Sequence, residues 1–231
     1  MKLKGKTALV TGGNRGIGFE VCRSLATEGA SVFLGSRDAQ MGQEAAVLLQ
    51  RENLDVTLLQ LDVANLESIR RATGEMGDRI DILINNAAIL DRKQWKALTD
   101  DDVTRFVQTN LTGPILLTSH ISEGMRKRNW GRIVNVSSGM GSMSRGLGPD
   151  SVLYRVTKAA LNAFTICLAQ TLVGSGVLVN SVDPGWVRTE MGGPSAPSTT
   201  MQGARGIVWA ALLPDGGPTG GFYYNGKQTD W

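Results

Sequence analysis

Short apolar runs alternate with longer amphipathic segments along nearly the whole chain. The short runs are rich in Val, Ile and Leu, which is typical of strands buried on both faces of a parallel sheet. In the longer segments apolar residues recur every three or four positions, which is the period of a helix with one buried face. Strands are predicted at 7–11, 31–35, 56–61, 80–84, 132–138, 177–182 and 221–224, and helices at 19–28, 40–51, 65–73, 100–128, 151–173 and 200–213.

Strands that alternate with helices in this way predict a doubly wound α/β fold. We expect one domain over residues 1–231, with a seven-stranded, mostly parallel sheet and helices on both faces. No linker or internal repeat interrupts the pattern. Folds of this kind bind ligands at the carboxyl ends of their strands, so the residues that follow each strand are the candidates for chemistry.

Composition supports a folded protein that does not bind nucleic acid. Hydrophobic residues make up 42% of the chain and charged residues 19%, which is enough apolar material for a sizeable core. The net charge of +3 is scattered and not gathered into a basic face, so nucleic acid is not an expected partner. The 29 glycines exceed the roughly 16 that average usage predicts, and they indicate many tight turns.

The cysteines and the single histidine exclude several other classes of protein. Cys22 and Cys167 lie in predicted helices and are expected to be buried free thiols, which fits a reducing, cytoplasmic location. We expect neither a signal peptide nor a segment long enough to span a membrane, and so no membrane partner. His120 and two distant cysteines cannot form a metal site.

A glycine-rich loop follows the first predicted strand and leads into a helix. Strand, glycine turn and helix together bring a helix N-terminus against a diphosphate. The spacing is T-G-x-x-x-G-x-G and not G-x-G-x-x-G, and a plain glycine loop is the weaker alternative. The candidate cofactor-binding residues of this loop are Gly12, Asn14, Arg15, Gly16, Ile17 and Gly18.

The tip of the second strand predicts which cofactor is bound. In this fold it meets the adenosine ribose, where an acid accepts from a 2′-hydroxyl and an arginine pairs with a 2′-phosphate. Ser36 and Arg37 lie at the tip, and Arg15 could add a second positive charge, which favours NADP(H) over NAD(H). Asp38 argues for NAD(H), although it could equally cap the next helix.

Tyr154 and Lys158 are four residues apart in the helix predicted at 151–173, for which Ser151 is the expected N-cap. Both side chains then project from one face. An ammonium beside a phenol lowers the phenol pKa from its usual value of about 10, so that the tyrosine can exchange a proton during chemistry. The alternative is an ordinary solvated pair on a helix surface.

Several motifs occur together and in a characteristic order. They are Thr11-Gly12 with Gly16-Ile17-Gly18, Asp62, Asn85-Asn86-Ala87, Asn110, Ser138, Tyr154 with Lys158, and Asp183-Pro184-Gly185 with Thr189. Over essentially its whole length the chain resembles the short-chain dehydrogenase/reductase family, and within it the carbonyl-reductase-like branch. The resemblance implies a Rossmann fold and a nicotinamide cofactor.

The resemblance also implies a role for each catalytic candidate. Tyr154 would be the general acid in carbonyl reduction, and Lys158 would lower its pKa and bind the nicotinamide ribose. Ser138 would hold the substrate oxygen. Asn110, in a helix that Gly113-Pro114 should disturb, would position a water that links Lys158 to solvent. The alternatives are that Ser138 caps a strand end, that Asn110 only marks a kink and that the Tyr154 hydroxyl is satisfied elsewhere.

The remaining cofactor contacts follow from the resemblance as well. Adenine would meet Asp62 and Val63, the ribose side would meet Asn86 and Ala87, and the nicotinamide would meet Pro184, Gly185, Val187 and Thr189. The chain departs from the family in two places. Ala88 replaces a usual glycine, and the loop at 139–150, leading to Tyr154, is a few residues longer than in most members.

The sequence therefore predicts an NADPH-dependent enzyme that reversibly reduces a ketone or aldehyde to an alcohol. An NAD-dependent alcohol dehydrogenase and a non-catalytic NADP(H)-binding sensor are the alternatives. A small carbonyl or alcohol would be the partner, and the resemblance implies a homo-oligomer, either a dimer or a tetramer. Substrate choice should depend on segments 90–95, 139–149 and 186–195, where Trp95 and Trp186 either wall the pocket or pack in the core.

Overall fold

Eight strands form a single sheet in the computed structural model, which describes residues 1–231 except for the side-chain environments of positions 75 and 77. The strands are β1 Thr7–Thr11, β2 Ser31–Ser36, β3 Val56–Gln60, β4 Ile82–Asn85, β5 Gly131–Val136, β6 Val177–Asp183, β7 Phe222–Tyr224 and β8 Lys227–Gln228. Their order across the sheet is β3-β2-β1-β4-β5-β6-β7-β8, and β1 to β7 are parallel. The doubly wound α/β fold predicted from the sequence is confirmed.

The eighth strand was not predicted. It pairs antiparallel with β7 across a tight turn, in which Asn225 and Gly226 both have positive φ, of 50° and 74°. An Asn-Gly pair is the favoured sequence for such a hairpin turn. Because β8 has only two residues and both are exposed, it carries no apolar pattern that the sequence could reveal.

Seven α-helices flank the sheet. They are α1 Gly16–Thr27, α2 Ala39–Gln50, α3 Leu66–Met76, α4 Asp100–Val107, α5 Gly113–Lys127, α6 Val152–Thr171 and α7 Thr200–Ala211. Alternate strand residues point to opposite faces, so Ala8 and Val10 join one core cluster while Leu9 joins the other. The first cluster includes buried residues of α1, α2 and α7, and the second includes buried residues of α3, α5 and α6.

The helical segment predicted at 100–128 is broken in the middle. A five-residue π-helical segment, Gln108–Thr112, joins α4 to α5 and contains Asn110. Pro114 lies in the first turn of α5, where its missing N–H is tolerated. The predicted disturbance is therefore confirmed, although it takes the form of one widened turn and not of a kink.

Two local predictions are only partly confirmed. Ser151 occupies the N-cap position of α6 as predicted, but it has the left-handed conformation, with φ of 52°, and its side chain makes no capping hydrogen bond. Cys22 is buried as expected, but Cys167, on α6, is exposed.

By length and composition α6 is also long and apolar enough to cross a membrane, contrary to the sequence-based expectation. Helices in protein cores pass the same test, and α6 packs against β6 with the polar residues Lys158, Asn162 and Thr165 buried.

Candidate active site

The predicted site residues gather at one edge of the sheet, where β1 to β6 end. The loop between β1 and α1 contributes Gly12 to Arg15, and the first turn of α1 contributes Gly16, Ile17 and Gly18. The other candidates follow or end the remaining strands, or lie on helices: Ser36 and Arg37 at β2, Asp62 and Val63 after β3, Asn86 and Ala87 after β4, Ser138 after β5, Pro184, Gly185, Val187 and Thr189 after β6, Asn110 in the π-helical segment, and Tyr154 and Lys158 on α6.

Glycine is required at several points of the first loop. Gly12 and Gly16 have φ of +65° and +59°, in the left-handed region that favours glycine. A Cβ atom on Gly18 would lie 2.2 Å from the Gly12 carbonyl oxygen and 2.6 Å from Asn86 Nδ2, so no larger residue fits. Helix α1 therefore begins at Gly16, three residues earlier than predicted, directly against the ends of β1 and β4.

Thr11 joins the loops that follow β1 and β4. Its Oγ1 accepts hydrogen bonds from the backbone N–H groups of Asn86 and Ala87, both at 2.9 Å. In return Asn86 Nδ2 donates to the carbonyl oxygens of Thr11 at 2.8 Å and of Gly12 at 3.2 Å. The Asn86 side chain thus holds the glycine loop in place. The sequence motif included Thr11, but its spacing gave no indication of this bridging role.

At the tip of β2, the structure confirms the capping role predicted for Asp38. Asp38 is the N-cap of α2, and its carboxylate accepts from the backbone N–H of Met41 at 2.9 Å. Ser36 is buried and donates to the Asp38 carbonyl oxygen at 2.7 Å. Arg37 is exposed between them, which leaves a positively charged side chain at the end of the strand.

The positive charge of Arg15 is paired with a carboxylate, whereas the sequence suggested that it could reinforce the charge of Arg37. Its guanidinium forms an ion pair with Glu190, in the loop after β6, and both side chains are exposed. The same loop approaches the glycine loop at a second point, because a Cβ atom on Gly16 would lie 3.3 Å from Thr189 Cγ2. The segment after β6 therefore lies against the glycine loop.

Asp62 and Val63 form a turn at the end of β3. The Asp62 carboxylate accepts from the backbone N–H of Ala64 at 2.9 Å, and Val63 is buried. A Cβ atom on Gly113 would lie 2.2 Å from the Val63 carbonyl oxygen. The start of α5 can approach this turn so closely only because residue 113 is glycine.

The Asn110 side chain is fully buried and makes three hydrogen bonds. Its Oδ1 accepts from the backbone N–H of Ile89 at 2.8 Å, and its Nδ2 donates to the Ile89 carbonyl oxygen at 2.9 Å and to Thr157 Oγ1 at 3.2 Å. It therefore ties the chain after β4 to α6, at the residue before Lys158. Sequence reasoning did not find Thr157, which carries no chemical signature of its own.

Ser138, Tyr154 and Lys158 lie close together at the end of β5. The Ser138 hydroxyl, which is half-buried and accepts from the backbone N–H of Met140 at 3.1 Å, interacts with the hydroxyl of Tyr154, which is buried. The Lys158 ammonium lies 5.6 Å from the centroid of the Tyr154 ring and donates to the Val136 carbonyl oxygen at 2.7 Å. A residue that follows β5 and two residues of α6 thus bring two hydroxyl groups and a cation together.

The environment of Tyr154 differs from the sequence-based expectation. Burial raises the pKa of Tyr154 to about 12; the hydrogen bond with Ser138 opposes this rise, and the negative charge of Asp183 adds to it. Burial lowers the pKa of Lys158 to about 8. The predicted lowering of the Tyr154 pKa is therefore wrong for this structure, because loss of hydration is the largest influence on the hydroxyl. Tyr154 is protonated at neutral pH.

Neither tryptophan near the site packs in the core. Trp95 is 66% exposed and Trp186 is 56% exposed. Trp186 Nε1 donates to the Gly192 carbonyl oxygen at 2.8 Å, and a β-bridge between Val187 and Ser198 closes the loop. The core alternative for these two residues is excluded, and the segment after β6 is a short, tied loop.

Comparisons with known proteins agree with this geometry. Residues 6–199 match the family model described as short chain dehydrogenase. The chain belongs to the short-chain dehydrogenase family. Cyclopentanol dehydrogenase from Comamonas sp. (strain NCIMB 9872) is 35% identical over 215 residues, covering 92% of this chain and 84% of that protein. The NADPH carbonyl reductase 1 of Sus scrofa is 32% identical, covering 98% of this chain and 94% of that protein.

A solved structure of a short-chain dehydrogenase supports the same conclusion. The NADPH-bound carbonyl reductase from chicken fatty liver superposes with a TM-score of 0.87 at 28% identity, covering 99% of this chain and all of that one (100%). Proteins of the family are oxidoreductases that use a nicotinamide cofactor and act on small molecules. The resemblance found in the sequence, including the carbonyl-reductase-like branch, is confirmed.

The glycine loop fits the diphosphate of such a cofactor. Within the described part of the chain, α1 has neither a capping side chain nor an acidic residue in its first turn. The first N–H groups of a helix have no partner inside the helix, and they carry a partial positive charge. Uncapped at the edge of the sheet where ligands bind, they are suited to an anionic group.

Proposed function

We propose that the protein is an NADPH-dependent oxidoreductase that reduces a ketone or aldehyde to the alcohol and can run in reverse. The observation that carries this proposal is the buried Tyr154 hydroxyl interacting with the half-buried hydroxyl of Ser138, with the Lys158 ammonium close by. Two hydroxyl donors converging at one point are what a carbonyl oxygen needs as it acquires negative charge. A protein that only sensed NADP(H) would gain nothing from this arrangement.

The three side chains divide the work of proton transfer. When bound, the nicotinamide supplies the hydride or accepts it. Tyr154, whose pKa is raised to about 12, holds its proton at neutral pH and gives it to the substrate oxygen. Ser138 donates to the same oxygen and holds it in place. Lys158, whose pKa is lowered to about 8, is mostly charged at neutral pH and stabilises the tyrosinate that remains.

The protonation state of Tyr154 favours one direction at neutral pH. Reduction requires a protonated tyrosine, whereas oxidation of an alcohol requires the tyrosinate. Because burial raises the pKa of Tyr154, reduction is the direction for which the side chain is prepared. Alcohol oxidation should accelerate as the pH rises.

The residues proposed to bind the cofactor surround the end of β1. The diphosphate would lie at the first turn of α1, with Gly12, Asn14, Arg15, Gly16, Ile17 and Gly18. The 2′-phosphate of the adenosine ribose would pair with Arg37, beside Ser36. Asp62, Val63, Asn86 and Ala87 would border the adenosine half, and Pro184, Gly185, Val187, Thr189 and Lys158 the nicotinamide half. We also infer that residues 1–231 act as one catalytic domain, that Asn110 positions a water for proton exchange and that the protein forms a homo-oligomer.

Tyr154→Phe tests the catalytic proposal. Reduction of a panel of ketones and aldehydes, followed as loss of NADPH absorbance at pH 7, should slow by a factor on the order of 10² to 10⁴, because the proton donor is removed. The dissociation constant of NADPH should not change. The control is Tyr223→Phe, since the Tyr223 ring packs against Trp209 of α7. If Tyr154→Phe kept its activity, the assignment would be wrong, and tight NADPH binding without any turnover would indicate a sensor.

Arg37→Ala tests the choice of cofactor. Removing the guanidinium should weaken NADPH binding about tenfold or more, the loss expected for a charge-assisted hydrogen bond, and should leave NADH binding unchanged. Cofactor titrations followed by fluorescence measure both affinities. Arg51→Ala, an exposed arginine at the end of α2, is the matched control. A variant that still preferred NADPH would contradict the role of Arg37.

A further inference from the structure

Asp183 places a buried carboxylate next to the catalytic hydroxyl pair. It is the last residue of β6, and the pairing of Val136 with Val182 puts the end of β6 beside Ser137 and Ser138. Its Oδ1 accepts from the backbone N–H of Gly185 at 2.9 Å. Its negative charge acts on Tyr154 and helps to keep that hydroxyl protonated.

Arg145 brings the opposite charge to this carboxylate. Its Nη1 lies 3.6 Å from Asp183 Oδ2, although the two residues belong to different segments of the chain. They meet beside Gly139, the residue after Ser138, where an added Cβ atom would lie 2.8 Å from both Arg145 Nη1 and Asp183 Oδ2. Glycine at position 139 leaves the space in which the ion pair forms.

The segment 229–231 holds the loop that carries Arg145. Thr229 Oγ1 accepts from Arg145 Nη2 at 2.5 Å, and the Trp231 carbonyl oxygen accepts from the backbone N–H of Ser144 at 2.7 Å. Ser142 Oγ, which is buried, donates to the Asp230 carbonyl oxygen at 3.1 Å. Three successive residues of this segment therefore each fix one point of the 142–145 loop.

The segment 229–231 is itself attached to the sheet. The Trp231 ring stacks on Phe222 of β7, with 5.5 Å between ring centroids and 15° between ring planes. The backbone N–H of Thr229 donates to the Phe222 carbonyl oxygen at 2.8 Å. Phe222 is fully buried, so the segment 229–231 connects Arg145 to the protein core.

We propose that Arg145, held by the segment 229–231, is the counter-ion of Asp183 and a positioning residue that sets how readily Tyr154 releases its proton. The inference rests on the proposed function of Tyr154. Besides Asp183, the charged groups around Tyr154 are Lys158 on its own helix and Arg155, the next residue, which is paired with Asp150. Arg145 is the group that offsets the charge of Asp183.

The pH dependence of alcohol oxidation tests this inference. Without Arg145 the full negative charge of Asp183 acts on Tyr154, so the apparent pKa for kcat should rise in Arg145→Met, by about half a unit to one unit. Arg145→Lys should restore most of the wild-type value. Thr229→Val, which removes only the hydrogen bond from Arg145 Nη2, should shift the apparent pKa in the same direction by a smaller amount.

A double-mutant comparison asks whether Arg145 acts through Asp183. In an Asp183→Asn background the shift caused by Arg145→Met should shrink, because there is no carboxylate left to offset. An equal shift in both backgrounds, or a change confined to KM, would overturn the inference. NADPH affinity, measured for each variant, shows that the fold and the cofactor site are intact.

A second measurement separates failure of the inference from failure of the proposed function. Chemical shifts of ¹³Cζ-labelled tyrosine report ionisation without turnover, and Tyr154→Phe identifies the resonance of Tyr154. If no carbonyl were reduced and Arg145→Met still delayed ionisation of Tyr154 in an alkaline titration, only the proposed function would fail. If reduction proceeded and neither the resonance nor the pH profile moved, the role of Arg145 would be refuted.

Discussion

Lys158 carries a positive charge into a site where only 2% of the residue is exposed, and among the residues that the structure describes its one hydrogen-bond acceptor is the Val136 carbonyl oxygen. Burying an ammonium costs free energy because one acceptor does not replace its hydration. The lowering of its pKa from 10.5 to about 8 expresses that cost. Such a residue is retained for its chemistry and not for stability, which agrees with the proposed role beside Tyr154.

The free-energy cost of burying the Lys158 ammonium predicts that the effect of Lys158→Met on stability depends on pH. Between about pH 8 and 10.5 the unfolded chain binds more protons at this position than the folded protein does, so folding stability rises with pH across that interval. Below about pH 8, burying the charged Lys158 side chain costs the wild-type protein on the order of 3 kcal/mol of folding stability at most. We expect Lys158→Met to have the higher free energy of unfolding at pH 7, because it avoids the cost of burying the charge. Loss of the hydrogen bond to Val136 reduces this advantage by about 1 kcal/mol. The advantage should shrink as the pH rises towards 10.5.

Urea unfolding at a series of pH values measures this difference. Other groups titrate in both proteins and cancel when the variant is compared with wild type. Lys127→Met, at an exposed lysine at the end of α5, should show no such trend. A difference in the free energy of unfolding that stayed constant from pH 7 to pH 10 would contradict the burial cost of Lys158.

At the scale of the elements, the apolar runs predicted the parallel strands most directly at β4, β5 and β6, which are buried at every position and rich in Val, Ile and Leu. The ends of helices were harder to predict. Helix α1 begins at Gly16, but two of its first three residues are glycine, so its first turn has no apolar period. Whether Asp38 capped α2 or faced a ribose depended on its backbone conformation, which residue type alone does not determine.

The π-helical segment shows why other features could not be predicted. Its widened turn spans only five residues, which is too short to change the apolar period of the long helical region. What requires it is the set of hydrogen bonds from Asn110 to Ile89 and Thr157, which lie 21 and 47 residues away in the sequence. The loop carrying Arg145 is likewise fixed by residues more than 80 positions away. Such contacts exist only once the sheet has assembled.

At the scale of the whole molecule, the carboxyl ends of the strands carry the candidate site, whereas the amino end of β5 carries contacts that stabilise the fold. The carboxyl ends of the strands bear the candidate site, with the hydroxyl groups of Ser138 and Tyr154 and the ammonium of Lys158. Near the amino end of β5, Arg132 is 1% exposed, and its guanidinium donates to the carbonyl oxygens of Leu213 at 2.9 Å, Gly131 at 2.8 Å and Gly176 at 3.3 Å. It also pairs with Asp215 at 2.7 Å. One side chain thereby joins β5 to the turns that follow α6 and α7.

This division predicts that Arg132→Met lowers stability without altering catalysis. The substitution keeps an apolar stem but leaves three carbonyl oxygens without that donor, so the free energy of unfolding should fall by about 2–4 kcal/mol. Urea unfolding measures the loss, and Arg126→Met is the control, because Arg126 is exposed and pairs with exposed Glu123, a contact worth at most about 1 kcal/mol. The kcat and KM of the folded variant, and the pH profile governed by Tyr154, should match wild type, since Arg132 lies at the far end of the strand that leads to Ser138. A changed pH profile in Arg132→Met would mean that the two ends of the sheet are coupled and that the site depends on more of the molecule than its own edge.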